Sequence, residues 1–220
     1  MDSPSLKYTT VLFDLDGTLL DTVEDLGAAV NHALTRRNLE GHDTAFYRRT
    51  VGHGIADLVR KSLPASLQDD EPMFGSCLDD FKRYYTAHID VHTRPYPGIP
   101  DLLIRLHRQG ISLAITSNKF QEGTERLAAG FFPGIPFAAL LGNRPGAPLK
   151  PDPAIVREVL RVTGSPRERT VLVGDSGTDM QTAANGGIAR IAVNWGYRPM
   201  KGTPGLTVVE TVAQLEALLL

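Results

Sequence analysis

Val11-Leu12-Phe13-Asp14-Leu15-Asp16-Gly17-Thr18 is the stretch that decides the fold. Residues 10–15 are short, apolar, and rich in β-branched and aromatic side chains, the pattern of a buried strand. Two carboxylates, Asp14 and Asp16, stand where that run stops, and Gly17 then lets the chain turn sharply. Working outward, residues 111–116, 138–141, 170–173 and 188–193 read as further buried strands. Helical patterns lie between them. Residues 100–109 place Leu102, Leu103 and Leu106 on a helical period and stop at Gly110. Residues 153–163 open on a proline and end before Gly164, residues 180–185 stop at Gly186-Gly187, and residues 212–220 form an apolar helical close. Strands alternating with helices predict an α/β protein with an open parallel sheet covered on both faces.

The alternation breaks between about residues 21 and 94. Helical periodicity dominates there, over residues 23–34, 55–63 and 77–88, with Pro64 and Pro72 as punctuation. Pro95-Tyr96-Pro97-Gly98 reads as a stiff re-entry. The pattern predicts a core of residues 1–20 and 92–220, and a helical domain of residues 21–91 inserted after the first strand. No internal repeat or low-complexity tract is present.

Composition narrows the function. The 220 residues are 42% hydrophobic and 22% charged, enough for a sizeable core. A net charge of -2, from 23 Lys+Arg against 25 Asp+Glu, argues against a nucleic-acid partner. Arg36-Arg37 and Arg48-Arg49 read as solvated helix faces. Cys77 is the sole cysteine, so no disulfide forms within the chain, which fits a reducing compartment. Residues 1–5 lack a long apolar stretch, and Asp14 and Asp16 interrupt the first apolar run. No segment is long enough to span a membrane, and a cytoplasmic protein is the expectation. The apolar Leu218-Leu219-Leu220 end leaves monomer and homodimer both open.

Three further segments end apolar runs with polar groups: Ser117-Asn118, Lys150, and Asp175 with Asp179. Open α/β sheets bind ligands at the carboxyl ends of their strands, so these distant residues can converge. Four converging carboxylates repel one another; two charges about 4 Å apart cost roughly 4 kcal/mol at an effective dielectric near 20. A cation or protonation must relieve this. An oxygen-only ligand set without His or Cys favours a hard ion, and Mg²⁺ fits best. Asp14 and Asp16 suit a nucleophile and a general acid/base acting on phosphorus, through an aspartyl-phosphate. The Ser117 hydroxyl and neighbouring backbone N–H groups suit phosphoryl oxygens, and Lys150 suits charge neutralisation.

Each piece also has a purely structural reading. Asp-Gly is a common turn, Ser117-Asn118 a helix cap, Lys150 a loop lysine, and Asp175 and Asp179 a cap and first-turn charge. All would have to hold together to dismiss the site. His88 and His92 have half a metal site's spacing but no accompanying ligands, and read as surface or capping residues. Gly52-His53-Gly54 reads either as a loop facing the site or as a helix–helix turn. Trp195 and Tyr197 read as packing or surface-lining residues, and no P-loop motif is present.

Asp14-Leu15-Asp16-Gly17-Thr18, Ser117-Asn118, Lys150-Pro151 and Gly174-Asp175-Ser176-Gly177-Thr178-Asp179 together resemble the motifs of haloacid-dehalogenase-superfamily phosphatases. The resemblance covers nearly the whole chain. It implies a Rossmann-like core with a helical cap domain inserted after the first motif. It also implies Asp14 as nucleophile and Asp16 as general acid/base. Mg²⁺ would be held by Asp14, the Asp16 backbone carbonyl and Asp175, with Asp179 in support. Ser117, Asn118 and Lys150 would bind phosphate. Within the superfamily, residues 50–54, 93–99 and 113–119 most resemble phosphoglycolate phosphatases. Ser117 stands where many such relatives have Thr, and residues 142–148 depart from the form expected before the lysine. The expected activity is Mg²⁺-dependent hydrolysis of a small phosphorylated metabolite, 2-phosphoglycolate first. A phosphosugar mutase and a non-catalytic phosphometabolite-binding regulator are the alternatives. Dehalogenation is disfavoured, since it needs neither metal nor Asp16.

Overall fold

A computed structural model describes residues 6–200 and 204–220. Residues 1–5, in which no leader was read, lie outside them. The chain enters through β1 (Thr10–Phe13) and a short β2 (Leu20–Asp21). Four helices follow: α1 (Val23–Thr35), α2 (Thr44–Thr50), α3 (Ile55–Ser62) and α4 (Glu71–Ala87). The chain returns through β3 (Arg94–Pro95), which pairs antiparallel with β2. It continues as α5 (Ile99–Arg108), β4 (Ser112–Phe120), α6 (Gln121–Phe131), β5 (Ala139–Asn143) and α7 (Ala154–Thr163). It closes with β6 (Thr170–Gly174), α8 (Gly177–Gly186), β7 (Ala189–Val193), β8 (Thr207–Val209) and α9 (Val212–Leu219).

The main sheet has the order β5-β4-β1-β6-β7-β8, and every pair in it is parallel. The expected α/β architecture is therefore borne out. Successive strand residues face opposite sides, and the core divides accordingly. Val11, Phe13, Leu113, Ile115, Val171 and Val173 pack on one side, with Leu102 and Leu106 of α5 and Leu215 of α9. Leu12, Ala114, Leu172 and Ala192 pack on the other, with Val156 and Val159 of α7 and Ala183 of α8. A strand buried on both faces has no polar alternation, which is why these runs read as continuously apolar. Phe13 is fully buried directly before the first site carboxylate; truncating such a residue to Ala costs about 3–5 kcal/mol.

Several boundaries differ from the sequence reading for local reasons. α4 begins at Glu71 rather than near residue 77 because the Asp70 carboxylate caps the Met73 N–H and Pro72 sits in the first turn. Pro72 thus starts a helix instead of interrupting one. α2 went unread; it is one short helix started by Asp43, whose side chain accepts from Phe46 N–H. α6 also went unread, since only Gly123, Thr124, Leu127 and Ala128 are buried and they make no broad apolar stripe. β4 runs past residue 116 to Phe120, with its pairing to β5 shifted between Thr116 and Phe120. α8 starts at Gly177, fixed by a reciprocal cap between Ser176 and Asp179.

Arg36 and Arg37 are not simply solvated: with Arg83 they converge on the buried Asp80. Burial works to raise the Asp80 carboxyl, but hydrogen bonds from Arg83 and Arg37 outweigh it and hold it at about 2. Arg48 pairs with Asp21 and lies 5.6 Å from the centre of the Tyr197 ring. Among the described residues no helix is long and apolar enough to cross a membrane.

Candidate active site

The polar segments meet at the carboxyl ends of β1, β4 and β6, where strand order switches direction around β1. Asp14 follows β1 directly and continues its ladder, its N–H donating to Val173 O at 2.9 Å. Its Oδ1 accepts from Leu15 N–H at 2.7 Å and lies 2.9 Å from Lys150 Nζ. Asp175 follows β6; its Oδ2 accepts from Tyr197 N–H at 2.8 Å. Asp179, in the first turn of α8, is wholly buried. Its Oδ1 accepts from Lys150 Nζ at 2.6 Å, and its Oδ2 accepts from the Ser176 hydroxyl at 2.5 Å. Ser117 lines the same cleft.

Lys150 does not end a strand. It comes from the loop after β5 and is brought in by Asn118. The Asn118 side-chain oxygen accepts from Lys150 N–H at 2.8 Å, and its nitrogen donates to Lys150 O at 3.1 Å and Gly52 O at 3.0 Å. Asn118 therefore clamps the lysine loop at both backbone groups and ties it to the α2–α3 connection. Lys150 Nζ completes its contacts on the Thr116 carbonyl at 2.9 Å.

Asp16 lines the same cleft but is held by partners of its own. Its Oδ1 accepts from the Thr22 hydroxyl at 2.6 Å and from Lys119 Nζ at 3.0 Å. Lys119 is a residue whose role the sequence reading missed. It directly follows Ser117-Asn118, but a lysine beyond an apolar run reads as solvated. Here it is buried, with Nζ also donating to the Tyr85 hydroxyl of α4 at 2.6 Å. Tyr197 is likewise more than packing: it lines the cleft, and its hydroxyl accepts from Thr22 N–H at 2.7 Å. Trp195 donates to Thr18 O at 3.1 Å.

Both readings of Gly52-His53-Gly54 hold, since it joins α2 to α3 and its two glycines line the cleft. The histidines behave as surface residues. His88 Nδ1 lies 2.8 Å from Tyr84 O, and the His92 ring lies 3.7 Å from Glu24.

The electrostatics fit a cation. One ligand atom from each of Asp14, Asp175 and Asp179 lies within 4.8 Å of the others. Burial, then the charge of Asp179, pushes the Asp14 carboxyl well above its ordinary value, against the pull of Lys150. Burial and Asp179 also push Asp175 up to about 7, opposed by the Tyr197 N–H and the charges of Arg198 and Lys150. Burial disfavours the Lys150 ammonium, yet Asp14 and Asp179 more than compensate and raise it. The donor set is oxygen only, which suits a hard divalent ion. Asp14 Oδ2 and Asp175 Oδ1 accept no hydrogen bond among the described residues, whereas both oxygens of Asp179 are taken. Asp14 and Asp175 thus each keep an oxygen that could hold an ion, while Asp179 holds Lys150. Gly17 permits this closeness: at φ +83° a Cβ there would stand 2.4 Å from Asp175 Oδ2.

The chain matches the haloacid dehalogenase-like hydrolase family over residues 11–193. It is 37% identical over 188 residues to a phosphoglycolate phosphatase of Mesorhizobium japonicum, covering 85% of this chain and 83% of that one. Among solved structures, a candidate phosphoglycolate phosphatase from Lactobacillus delbrueckii subsp. bulgaricus superposes with a TM-score of 0.88. The two are 33% identical, with 97% and 99% of the chains covered. CbbY from Rhodobacter sphaeroides, solved with phosphate, superposes with a TM-score of 0.75 at 25% identity, over 94% and 96% of the chains.

Proposed function

The chain belongs to the haloacid dehalogenase-like hydrolases, and from that premise we propose that it is a Mg²⁺-dependent phosphomonoester hydrolase whose substrate is 2-phosphoglycolate. The observation that carries this reading is Asp14 set against Lys150 at 2.9 Å, beside Asp175, with Asp16 held apart by partners of its own. The named function of the M. japonicum relative supports the choice of substrate.

In this reading an Asp14 carboxylate oxygen attacks phosphorus and the ester P–O bond breaks. The Asp16 carboxyl gives its proton to the leaving alkoxide. Asp16, now ionised, takes a proton from a water whose oxygen attacks the same phosphorus. The Asp14–phosphorus bond breaks, inorganic phosphate leaves, and both carboxyl groups return to their starting forms. The Ser117 hydroxyl and the Lys150 ammonium hold phosphoryl oxygens, and Asn118 acts by fixing the lysine loop. Bound through Asp14, the Asp16 backbone carbonyl and Asp175, a Mg²⁺ ion would supply charge neutralisation for the nucleophile and the phosphoryl group. Residues 21–91 serve as the cap and the rest as core, with the β2–β3 ribbon at the two crossings. Leu26, Val51, Ile55 and Leu58 of that cap give the cleft an apolar roof that excludes bulk water.

The test is phosphate release from a panel of small phosphomonoesters with and without Mg²⁺, including 2-phosphoglycolate and sugar phosphates. Mg²⁺-dependent release with 2-phosphoglycolate preferred is the expected result. Mg²⁺-dependent release with another preference discards the substrate. Isomerised product without release replaces hydrolysis by a mutase reaction, and tight binding without turnover replaces it by a regulator.

A further inference from the structure

Among the described residues, three cations line the cleft: Lys119, Lys150 and Arg198. Two are already paired, Lys119 with Asp16 and Lys150 with Asp14 and Asp179. Arg198 forms no ion pair with any carboxylate of the described residues. Its Nη2 donates instead to two backbone carbonyls of the cap, Arg49 O at 3.0 Å and Val51 O. A guanidinium carries five N–H donors, and Nε and Nη1 of Arg198 donate to nothing among the described residues. The charge nonetheless reaches into the site, since it counts among those that lower the Asp175 carboxyl.

Gly52 explains how the group is placed. It has a φ of +127°, and a Cβ on it would stand 3.1 Å from Arg198 Nη1. A glycine there lets the cap loop lie directly on the guanidinium. The two together form a low, positively charged wall beside an otherwise apolar roof of Val51, Ile55 and Leu58. Such a roof discriminates poorly among alcohols, so the guanidinium is its distinguishing feature. With Lys119 and Lys150 held by carboxylates of the site, Arg198 is, among the described residues, the cleft cation that no carboxylate partners, and its free donors stand at the α2–α3 connection, where they suit an anionic group on the alcohol portion of a substrate.

We propose that Arg198 binds a carboxylate on the alcohol portion of the substrate, and so makes the enzyme selective for short phosphorylated hydroxy acids. This deepens the phosphatase reading and rests on it. A planar guanidinium matches a carboxylate through two parallel N–H bonds. A second phosphate group would satisfy the same donors, and the assay separates the two.

The experiment compares 2-phosphoglycolate with ethyl phosphate, the same two-carbon ester without the carboxylate, in wild type, Arg198→Met and Arg198→Lys. The wild-type ratio of kcat/KM should favour 2-phosphoglycolate. Arg198→Met should lower that ratio by about tenfold to a hundredfold, and Arg198→Lys should restore part of it. An equal fall on both esters would overturn the assignment and leave Arg198 as a cap fastener. An Arg198-dependent preference for a sugar bisphosphate over 2-phosphoglycolate would overturn the carboxylate. If wild type turns over no phosphomonoester, the hydrolase reading fails by itself. Calorimetric affinities of Asp14→Asn for the same two esters, with and without Arg198→Met, then decide: a lost ratio supports Arg198 and an unchanged ratio overturns it.

Discussion

Lys119 and Asp16 form a buried ion pair, Nζ to Oδ1 3.0 Å, across 103 residues of sequence. The lysine side chain is 1% exposed and the aspartate 13%. Removing one member of such a pair strands a charge, at a cost of about 3–5 kcal/mol. Lys119→Met should therefore lower the melting temperature by roughly 5 °C or more. Because Asp16 loses the contact that aims it, kcat should fall by about tenfold or more with a smaller change in KM. Thermal melting and steady-state kinetics check both, and wild-type values in either would refute the role.

Asp14→Asn removes the proposed nucleophile while keeping its shape. Turnover should vanish and ligand binding persist, since Lys150 keeps its 2.6 Å contact with Asp179. Steady-state phosphate release by this variant would exclude Asp14 as the attacking group.

Metal and pH should act together on stability. The Asp175 carboxyl rises from 3.8 to about 7 on folding, chiefly by burial. A carboxyl raised in the fold favours the folded state relative to higher pH: that stability is complete below about pH 4 and lost as pH rises through 7. Asp14 moves in the same direction. The metal-free protein should melt at progressively lower temperature from pH 4 to pH 8. Mg²⁺ should restore the loss at pH 8, by roughly 5 °C or more, and do little at pH 5. A Mg²⁺ effect of equal size at both pH values would contradict this.

Gly17→Ala tests the tight approach of the turn after β1 to Asp175, a proposed metal ligand. The added Cβ meets Asp175 Oδ2 at 2.4 Å from a backbone at φ +83°. Strain of this kind costs about 1–3 kcal/mol, and here it displaces a carboxylate. The stabilisation by Mg²⁺ should be largely lost, as read by melting with and without the ion. Retention of the full Mg²⁺ shift would show that Asp175 does not need this position.

Much of the fold was legible. The runs around residues 10–15 and 170–173 are apolar at every position because both faces of those strands are covered, and they became β1 and β6. The helical insert was legible from the absence of such runs between Asp21 and Arg94. α6 was not, because its contact with the sheet uses small residues and a single leucine. In the site, Asp14 and Asp175 were legible because a carboxylate ending a buried strand stands out against its own segment. Lys119 and Arg198 were not, because an isolated cation in sequence carries no mark of burial.

The sequence by itself determined a parallel α/β core, the helical insert, and the strand ends at which the carboxylates lie. Those follow from local periodicity and turn chemistry, which neighbouring residues dictate. Only the tertiary structure decided which charges pair. Asn118 carries Lys150 to Asp14, Lys119 is withdrawn to Asp16 and Tyr85, and Arg198 is left facing the α2–α3 connection. Whether a charged group is buried, and beside what, depends on loops far apart in the chain packing on one another. The free energy of a charge is set by that surrounding medium and its partners, not by its neighbours in sequence.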